Sequence, residues 1–154
     1  MLNTERDEIF TPHGTVRLRP LTPGDTELVH GWLTDPHCAF WGMQQASVND
    51  VAVEYDRLRA SPHEEAWILE LHPHPAAPHR PMGIVEDYDP RRVVLDSVLA
   101  GAASSEAAGV RELTLEEPIR GLHFLVAPPA GAHVSGLTSS LFAAVIRWLI
   151  VDRA

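Results

Sequence analysis

A loop of small residues stands directly before the last predicted helix of the chain, with the sequence His133-Val134-Ser135-Gly136-Leu137-Thr138. Gly136 permits close approach of the backbone, and the hydroxyls of Ser135 and Thr138 can donate hydrogen bonds. The first N–H groups of a helix lack intrahelical partners and lie at the positive end of the helix dipole, so such a loop can bind phosphate. A plain helix cap accounts for the same residues, and both interpretations stay open.

A histidine lies within the most strand-like segment, Gly121-Leu122-His123-Phe124-Leu125-Val126. Alternation along a strand places His123 on one face with Gly121 and Leu125. An imidazole has an unperturbed pKa of about 6.5, so it accepts a proton readily near neutral pH. His123 is therefore either a proton acceptor in a site that it shares with the loop, or a hydrogen-bonded core histidine.

Aromatic residues are concentrated in the connection between the first two predicted helices. Phe40 and Trp41 either line an apolar substrate pocket, with His37 as a polar contact, or belong to the core. On a later strand, Glu86 and Tyr88 share one face. A carboxylate there attracts a cationic amine, and an exposed pair on an edge strand is the alternative.

Four histidines fall in one Pro-rich region, namely His63, His72, His74 and His79. A structural zinc ion needs a set of four ligands, and no closely spaced Cys or carboxylate completes one here. We expect a solvated loop and no metal.

The hydrophobic pattern predicts four strands and three helices. The strands cover residues 15–21, 66–71, 81–88 and 121–126, and the second and third of them form a hairpin. The helices begin at Thr22-Pro23, at Ser47 and at Leu137, where capping residues or the apolar pattern start. Residues 1–14 are expected to be a loose arm, and residues 97–109 a mobile insertion.

Two helices have predicted buried faces. In the first helix that face is formed by Leu28, Trp32 and Leu33. Apolar residues surround nearly the whole last helix, which predicts contact with a sheet on one side and more protein on the other; these are Leu137, Leu141, Phe142, Val145, Trp148 and Leu149.

Composition limits the class of protein. The 154 residues suffice for one domain, and 45% hydrophobic residues with 21% charged residues are typical of a globular core. A net charge of −9 argues against general nucleic-acid binding. The single Cys38, the acidic N-terminus and the Arg147 that interrupts the longest apolar run indicate a cytoplasmic protein without a disulfide, a secretory signal or a membrane span.

The order of elements, together with the loop around Gly136, resembles the GCN5-related N-acetyltransferase (GNAT) superfamily. His133 and Thr138 stand where that family's loop has Arg or Gln and a second Gly. Further motifs resemble the siderophore-biosynthesis branch, which acylates N-hydroxylated amines: Val16-Arg17-Leu18-Arg19-Pro20-Leu21, His37 to Trp41 with Met43, Glu86-x-Tyr88-Asp89-Pro90, Gly121 to Leu125, and Arg147-Trp148-Leu149. The resemblance implies one α/β (α+β) domain over residues 1–154, with a mostly antiparallel sheet flanked by helices, that ends before the family's fifth strand.

The resemblance also implies the roles of the site residues. Acetyl-CoA or another acyl-CoA is the implied cosubstrate, and His123 is the implied general base. Contacts to the cofactor are implied for the backbone of Leu125 and Val126 and for His133, Ser135, Gly136, Leu137 and Thr138. Contacts to the N-hydroxylated lysine or diamine are implied for His37, Phe40, Trp41, Glu86 and Tyr88.

Two other functions agree with the same residues. One is an aminoglycoside 6′-N-acetyltransferase, a branch that tends to have Asp at the position of His123. The other is a degenerate, non-catalytic module that binds acyl-CoA. A homodimer, in which another copy completes the sheet, is an alternative to a single complete domain.

Overall fold

The structure is a computed structural model that describes residues 8–92 and 119–152. The predicted insertion at residues 97–109 and the first seven residues of the predicted arm lie outside the described residues. Most of the predicted strands and helices are present, with boundaries shifted by a few residues.

The N-terminal arm is a hairpin from residue 9 onward, so the prediction of a loose arm is wrong for this part. Strand β1 (Ile9–Thr11) pairs antiparallel with β2 (Gly14–Pro20). Gly14 has a φ of 125°, and a Cβ atom at this position would overlap the carbonyl oxygen of His72. The tight turn therefore depends on glycine, and it secures β1 against the sheet with Ile9 buried.

Two helices follow β2, each with a capping box at its approach. A 3₁₀ turn (Pro23–Asp25) leads into α1 (Thr26–Leu33). A longer 3₁₀ segment (Pro36–Trp41) and α2 (Val48–Ala60) come next, and Ser47 caps α2 as predicted. The buried face of α1 contains Val29 and Leu33 rather than the predicted Leu28, which is 37% exposed. Residues four positions apart share one side of a helix, and the side with Val29 and Leu33 faces the core.

The sheet is antiparallel throughout the described strands. Strands β3 (Glu64–His72), β4 (Arg80–Tyr88) and β5 (Gly121–Val126) extend it in the order β1-β2-β3-β4-β5. The predicted β3–β4 hairpin is confirmed. Strand β5 lies at the end of this order and pairs with β4.

Helices cover both faces of the sheet. Helices α1 and α2 pack on the face that presents Ile68, Ile84 and Leu125. On the other face, α3 (Leu137–Arg147) continues into a π-helical turn (Trp148–Asp152).

The buried face of α3 covers less of the helix surface than predicted. Leu141, Ala144, Val145 and Trp148 form its buried stripe, as spacing of three and four residues requires. Phe142 contacts Phe124 of β5 but is still 45% exposed, which corrects the prediction of burial all around the helix.

A charged network fixes β2 against β3 and against the start of α1. Arg19 donates to the carboxylates of Asp25 and Glu70, and Arg17 donates to Glu70 as well. Both carboxylates are buried, at 8% and 6% exposure, so their charges need these partners. The network orients the 3₁₀ turn that leads into α1.

Candidate active site

His123 and Glu86 lie directly opposite each other on β5 and β4. The imidazole Nδ1 is 3.1 Å from Glu86 Oε2. The His123 side chain is 55% exposed, whereas Glu86 keeps only 14% of its side-chain surface accessible. His123 is therefore not a core histidine. Glu86, predicted to contact the substrate, is instead placed as the acidic partner of His123.

A second donor reaches the same carboxylate from α2. The hydroxyl of Tyr55 donates to Glu86 Oε1 at 3.1 Å, and Tyr55 is only 2% exposed. Burial raises the pKa of both groups above the ordinary value, and the Glu86 charge raises the pKa of Tyr55 further. Sequence reasoning missed Tyr55 as a site residue, because no local pattern pairs it with a residue 31 positions later.

Two aromatic rings contact the imidazole from the open side. The Tyr88 hydroxyl lies 3.3 Å from His123 Nε2, with ring centroids 4.8 Å apart. Trp41 meets His123 edge to face at 5.9 Å, and Phe40 meets Trp41 at 6.2 Å. Of the predicted substrate contacts, the structure thus brings Phe40, Trp41 and Tyr88 together around His123.

The hydrogen bonds decide which nitrogen of His123 can act as a base. An ionised Glu86 can only accept, so Nδ1 carries the hydrogen of the His123–Glu86 bond. Nε2 then holds the lone pair and faces Tyr88 and the pocket. This arrangement orients an imidazole to take a proton from a substrate and places a carboxylate to stabilise the imidazolium that forms.

A pocket of about 800 Å³ opens in front of this group. Its described lining has an aromatic part with Phe40, Trp41 and Tyr55, an acidic part with Asp50, Glu54 and Glu86, and His123 as the one basic side chain. Leu122 and Phe124, whose side chains alternate to the other face of β5, line it too. The pocket therefore includes the part of β5 on both sides of His123.

His37 takes no part in this pocket, which corrects its prediction as a substrate contact. Its Nδ1 lies 2.8 Å from Asp35 Oδ1, and its side chain is 69% exposed. Asp35 also accepts the His37 N–H at the start of the 3₁₀ segment. The residue thus takes part in capping that segment.

The backbone N–H groups of Leu125 and Val126, both predicted to contact the cofactor, point to opposite edges of β5. The Ala127 N–H donates to Met82 on β4 at 2.7 Å, so in an antiparallel ladder the Leu125 N–H also faces β4. The Val126 N–H faces the outer edge, on the side where Cys38 Sγ lies 4.0 Å from the Val126 carbonyl oxygen. Only Val126 therefore agrees with the predicted backbone contact, because the Leu125 N–H is used inside the sheet.

The loop before α3 has the backbone form needed to receive a diphosphate. Gly136 is the N-cap with a φ of 75°, and no side chain caps the helix there. His133, Ser135, Gly136 and Thr138 are exposed, whereas Leu137 is half-buried and packs on the core beneath α3. A diphosphate that accepts from the first-turn N–H groups of α3 fits this arrangement.

The loop and His123 do not open into one cleft, contrary to the sequence-based expectation. The loop starts the helix on one face of the sheet, and the His123 side chain lies on the face of α1 and α2. Alternation along β5 forces this separation. A molecule long enough to pass the edge of β5 can reach both sites.

Within residues 8–92 and 119–152, no group of three or more His, Cys, Asp and Glu side chains is arranged to hold a metal ion. None of the described helices combines the length and the apolar character that crossing a bilayer requires.

Known proteins with the same fold include acetyltransferases. The aminoglycoside acetyltransferase AAC(6′)-Ib in complex with coenzyme A is 25% identical, with a TM-score of 0.58 over 90% of this chain and 69% of that one. Its complex with ribostamycin and coenzyme A has a TM-score of 0.59 at 25% identity, over 90% and 68% of the two chains. An uncharacterized protein (bh2621) from Bacillus halodurans has a TM-score of 0.67 at 16% identity, over 94% and 66%. The chain thus spans about two thirds of these structures.

The sequence itself assigns the family. Among curated proteins, none matches this sequence significantly. The profile of the acetyltransferase (GNAT) domain matches residues 22–154, which is most of the chain. The chain therefore belongs to the GNAT acetyltransferase family, which confirms the acyl-CoA-dependent N-acyltransferase predicted from its sequence.

Proposed function

We propose that this domain transfers an acyl group from acetyl-CoA or another acyl-CoA to the hydroxylamine nitrogen of an N-hydroxylated lysine or diamine, as in hydroxamate siderophore biosynthesis. The observation that carries the proposal is the His123–Glu86 pair at the pocket, 3.1 Å apart. It supplies a base of moderate strength. A hydroxylamine nitrogen is mostly neutral near pH 7, so its acylation needs no stronger base than an imidazole.

His123 moves the proton in this proposal. The substrate nitrogen attacks the acyl carbonyl with its lone pair, and its N–H proton passes to His123 Nε2. Glu86 stabilises the resulting imidazolium through Nδ1–H. The carbon–sulfur bond of the thioester breaks, and the released thiolate takes up the proton that His123 accepted, so that a hydroxamic acid and a thiol are the products. Tyr88, 3.3 Å from Nε2, orders the ring before substrate replaces its hydrogen bond.

Acyl-CoA supplies the activated carbonyl, and three parts of the chain suit it. The loop at Gly136 suits the diphosphate through the N–H groups of Thr138 and Ser139, because no side chain caps the first turn of α3, whereas the Leu137 N–H donates to the Val134 carbonyl oxygen. The edge of β5, which is the last of the described strands in the sheet, suits the extended pantetheine arm, because such an arm can pair with it as another strand would. The Val126 N–H at that edge suits the carbonyl oxygen that gains negative charge during the reaction.

The pocket suits an amine with an aliphatic stem. Phe40 and Trp41 provide apolar surface beside His123, and Asp50 lies on the acidic part of the lining. A methylene chain packs on aromatic rings, and a cationic or zwitterionic far end is attracted to carboxylates. These features support a lysine- or diamine-derived substrate.

An aminoglycoside is the second candidate substrate. It is supported by the 25% identity to AAC(6′)-Ib, for which a complex with ribostamycin and coenzyme A is known. The three carboxylates of the pocket also suit a polycation. An aminoglycoside amine carries a proton near pH 7, however, so the base has to deprotonate the ammonium group before attack.

One panel of assays distinguishes the candidates. The chain is incubated with several acyl-CoAs and with N-hydroxylysine, N-hydroxycadaverine, lysine, cadaverine and ribostamycin, and released thiol is measured. We expect turnover only with the N-hydroxylated amines. Preference for ribostamycin would support the second candidate. Calorimetric binding of acetyl-CoA without any turnover would support a non-catalytic acyl-CoA-binding module.

Replacing the proposed base tests the mechanism. His123→Ala is expected to lower kcat by about two to four orders of magnitude, the usual contribution of a general base. His74→Ala is the matched control, because His74 is exposed in the turn between β3 and β4. An unchanged kcat in His123→Ala would reject His123 as the base.

A further inference from the structure

We propose that Tyr55 is a positioning residue of the reaction, which fixes the Glu86 carboxylate so that Glu86 holds His123 with Nε2 free to accept a proton. Tyr55 itself faces Glu86 and is almost fully buried, with its hydroxyl 3.1 Å from Oε1. The inference rests on the proposed function, because it gives Tyr55 a role in preparing the base of that reaction.

The hydroxyl of Tyr55 is not needed for packing. Val51, Tyr55 and Leu58 form the buried stripe of α2, and a phenylalanine ring would fill the same space. A buried hydroxyl without a partner costs free energy, so its presence requires an acceptor. Here the acceptor is the carboxylate that holds His123. The structure thus links the one polar atom of this stripe to the base.

Two donors on two oxygens fix the plane of the carboxylate. Tyr55 donates to Oε1 from α2, and His123 donates to Oε2 from β5. With one donor alone, the carboxylate could rotate about its last torsion, since that torsion is broad in Glu. Without Tyr55, Oε1 would also lie buried with no donor. Rotation or protonation of Glu86 would then weaken its hold on Nδ1–H.

The groups around Glu86 determine in which direction its pKa shifts when the Tyr55 hydroxyl is lost. The titratable groups that face it are His123 from β5, Tyr55 and Glu54 from α2, and Tyr88 from its own strand. Burial and the Glu54 charge raise the pKa of Glu86, and the hydrogen bonds from His123 and Tyr55 lower it. Loss of the Tyr55 hydroxyl therefore raises this pKa further, so Glu86 takes up a proton at higher pH.

The first experiment is Tyr55→Phe in the full chain. We expect kcat to fall about tenfold, as for loss of one buried charge-assisted hydrogen bond, with KM for acetyl-CoA unchanged. The acid limb of the pH–rate profile should move to higher pH. Val51→Ala is the control, because it disturbs the same buried stripe without touching the carboxylate. It should lower Tm and leave the pH profile in place.

A double-mutant cycle separates positioning from simple packing. In a Glu86→Gln background, Tyr55→Phe should cause little further loss of kcat, because its effect acts through the carboxylate. If the two losses multiply fully, Tyr55 acts independently of Glu86 and the inference is wrong.

A measurement without turnover keeps this inference separate from the proposed function. Nitrogen-15 NMR of labelled histidine rings reports which nitrogen carries the hydrogen, and the His123 signals are found by difference from His123→Ala. We expect the Nδ1–H tautomer in the wild type and a mixture in Tyr55→Phe. If no acyl-CoA is consumed, the proposed function fails while this test still decides on Tyr55. An unchanged tautomer in Tyr55→Phe would overturn the inference.

Discussion

His13 and Ser135 are joined by a hydrogen bond between the imidazole Nε2 and the Ser135 carbonyl oxygen, at 3.1 Å. The other ring nitrogen, Nδ1, lies 3.0 Å from the hydroxyl of Ser140. Because a carbonyl can only accept, Nε2 carries hydrogen, and Nδ1 of a neutral ring accepts from Ser140. His13 thus ties the turn between β1 and β2 to both sides of the α3 N-cap, Gly136.

Removing this tie should weaken acyl-CoA binding. His13→Ala is expected to raise KM for acetyl-CoA about tenfold with little change in kcat, because the lost hydrogen bonds hold the loop and not the base. S-acetylpantetheine, which has no diphosphate, serves as the internal control in steady-state assays. Its turnover should be the same in His13→Ala and wild type. An equal loss with both substrates would contradict a role specific to the diphosphate.

The Arg19–Asp25 pair should govern part of the acid stability. Hydrogen bonding from Arg19 lowers the pKa of Asp25 from 3.8 to about 2. A carboxyl with a lowered folded-state pKa contributes stability above its unfolded pKa, and that contribution is lost as the pH falls through the folded value. The free energy of unfolding of the wild type should therefore fall more steeply between about pH 4 and pH 2 than that of Asp25→Asn. Urea denaturation at several pH values measures this. Glu27→Gln, at an exposed position of α1, should keep the wild-type slope.

Local sequence patterns predicted the elements that carry their own signals. The Ser47–Asp50 capping box marks the start of α2. Alternation marks β5 and places His123 on the correct face. Strand β1 could not be predicted, because three residues are too few to show an alternating pattern. Its extended conformation depends on pairing with β2.

Pairings between distant residues could not be predicted. The sequence pattern places Glu86 and Tyr88 on the substrate side, but their contacts with His123 depend on the register of β4 and β5. A shift by one residue would turn His123 to the other face. Tyr55 reaches Glu86 only because α2 packs across that face, a tertiary contact without a local signal. The cytoplasmic location, the single domain and the homodimer stay predictions.

Gly121 provides the space for the Tyr88 ring. It is the cross-strand partner of Tyr88, and a Cβ atom at this position would overlap the ring. Gly121→Ala should displace Tyr88 from His123. It should therefore lower kcat to the same extent as Tyr88→Phe, which removes the hydroxyl that orders the His123 ring. Combining the two changes should add little, since both remove the same hydroxyl contact. Gly31→Ala, where no atom lies within 4 Å of the added Cβ, is the matched control and should leave kcat unchanged. If Gly121→Ala also leaves kcat unchanged, the position of the Tyr88 ring does not matter to the reaction.

The ionised Glu86 side chain should lower the free energy of unfolding at the pH at which it stabilises the protonated His123. Burial raises its pKa in the folded state above the ordinary 4.5. A carboxyl with a raised folded-state pKa stabilises the fold most below its unfolded pKa, and this contribution is lost as the pH rises through the folded value. The free energy of unfolding of Glu86→Gln relative to wild type should thus increase from pH 4 to pH 8, while kcat falls at least tenfold.

Denaturation curves at several pH values, together with the kinetics, check this opposition between stability and activity. Glu27→Gln is the comparison for stability, because Glu27 is exposed on α1 and is not among the groups that face Glu86. Its relative stability should depend little on pH, since an exposed carboxylate contributes little. A relative stability of Glu86→Gln that does not vary with pH would mean that Glu86 ionises in the fold as easily as in the unfolded chain. Burial of the ionised Glu86 side chain would then not lower the free energy of unfolding, and the proposed opposition between stability and activity would be wrong.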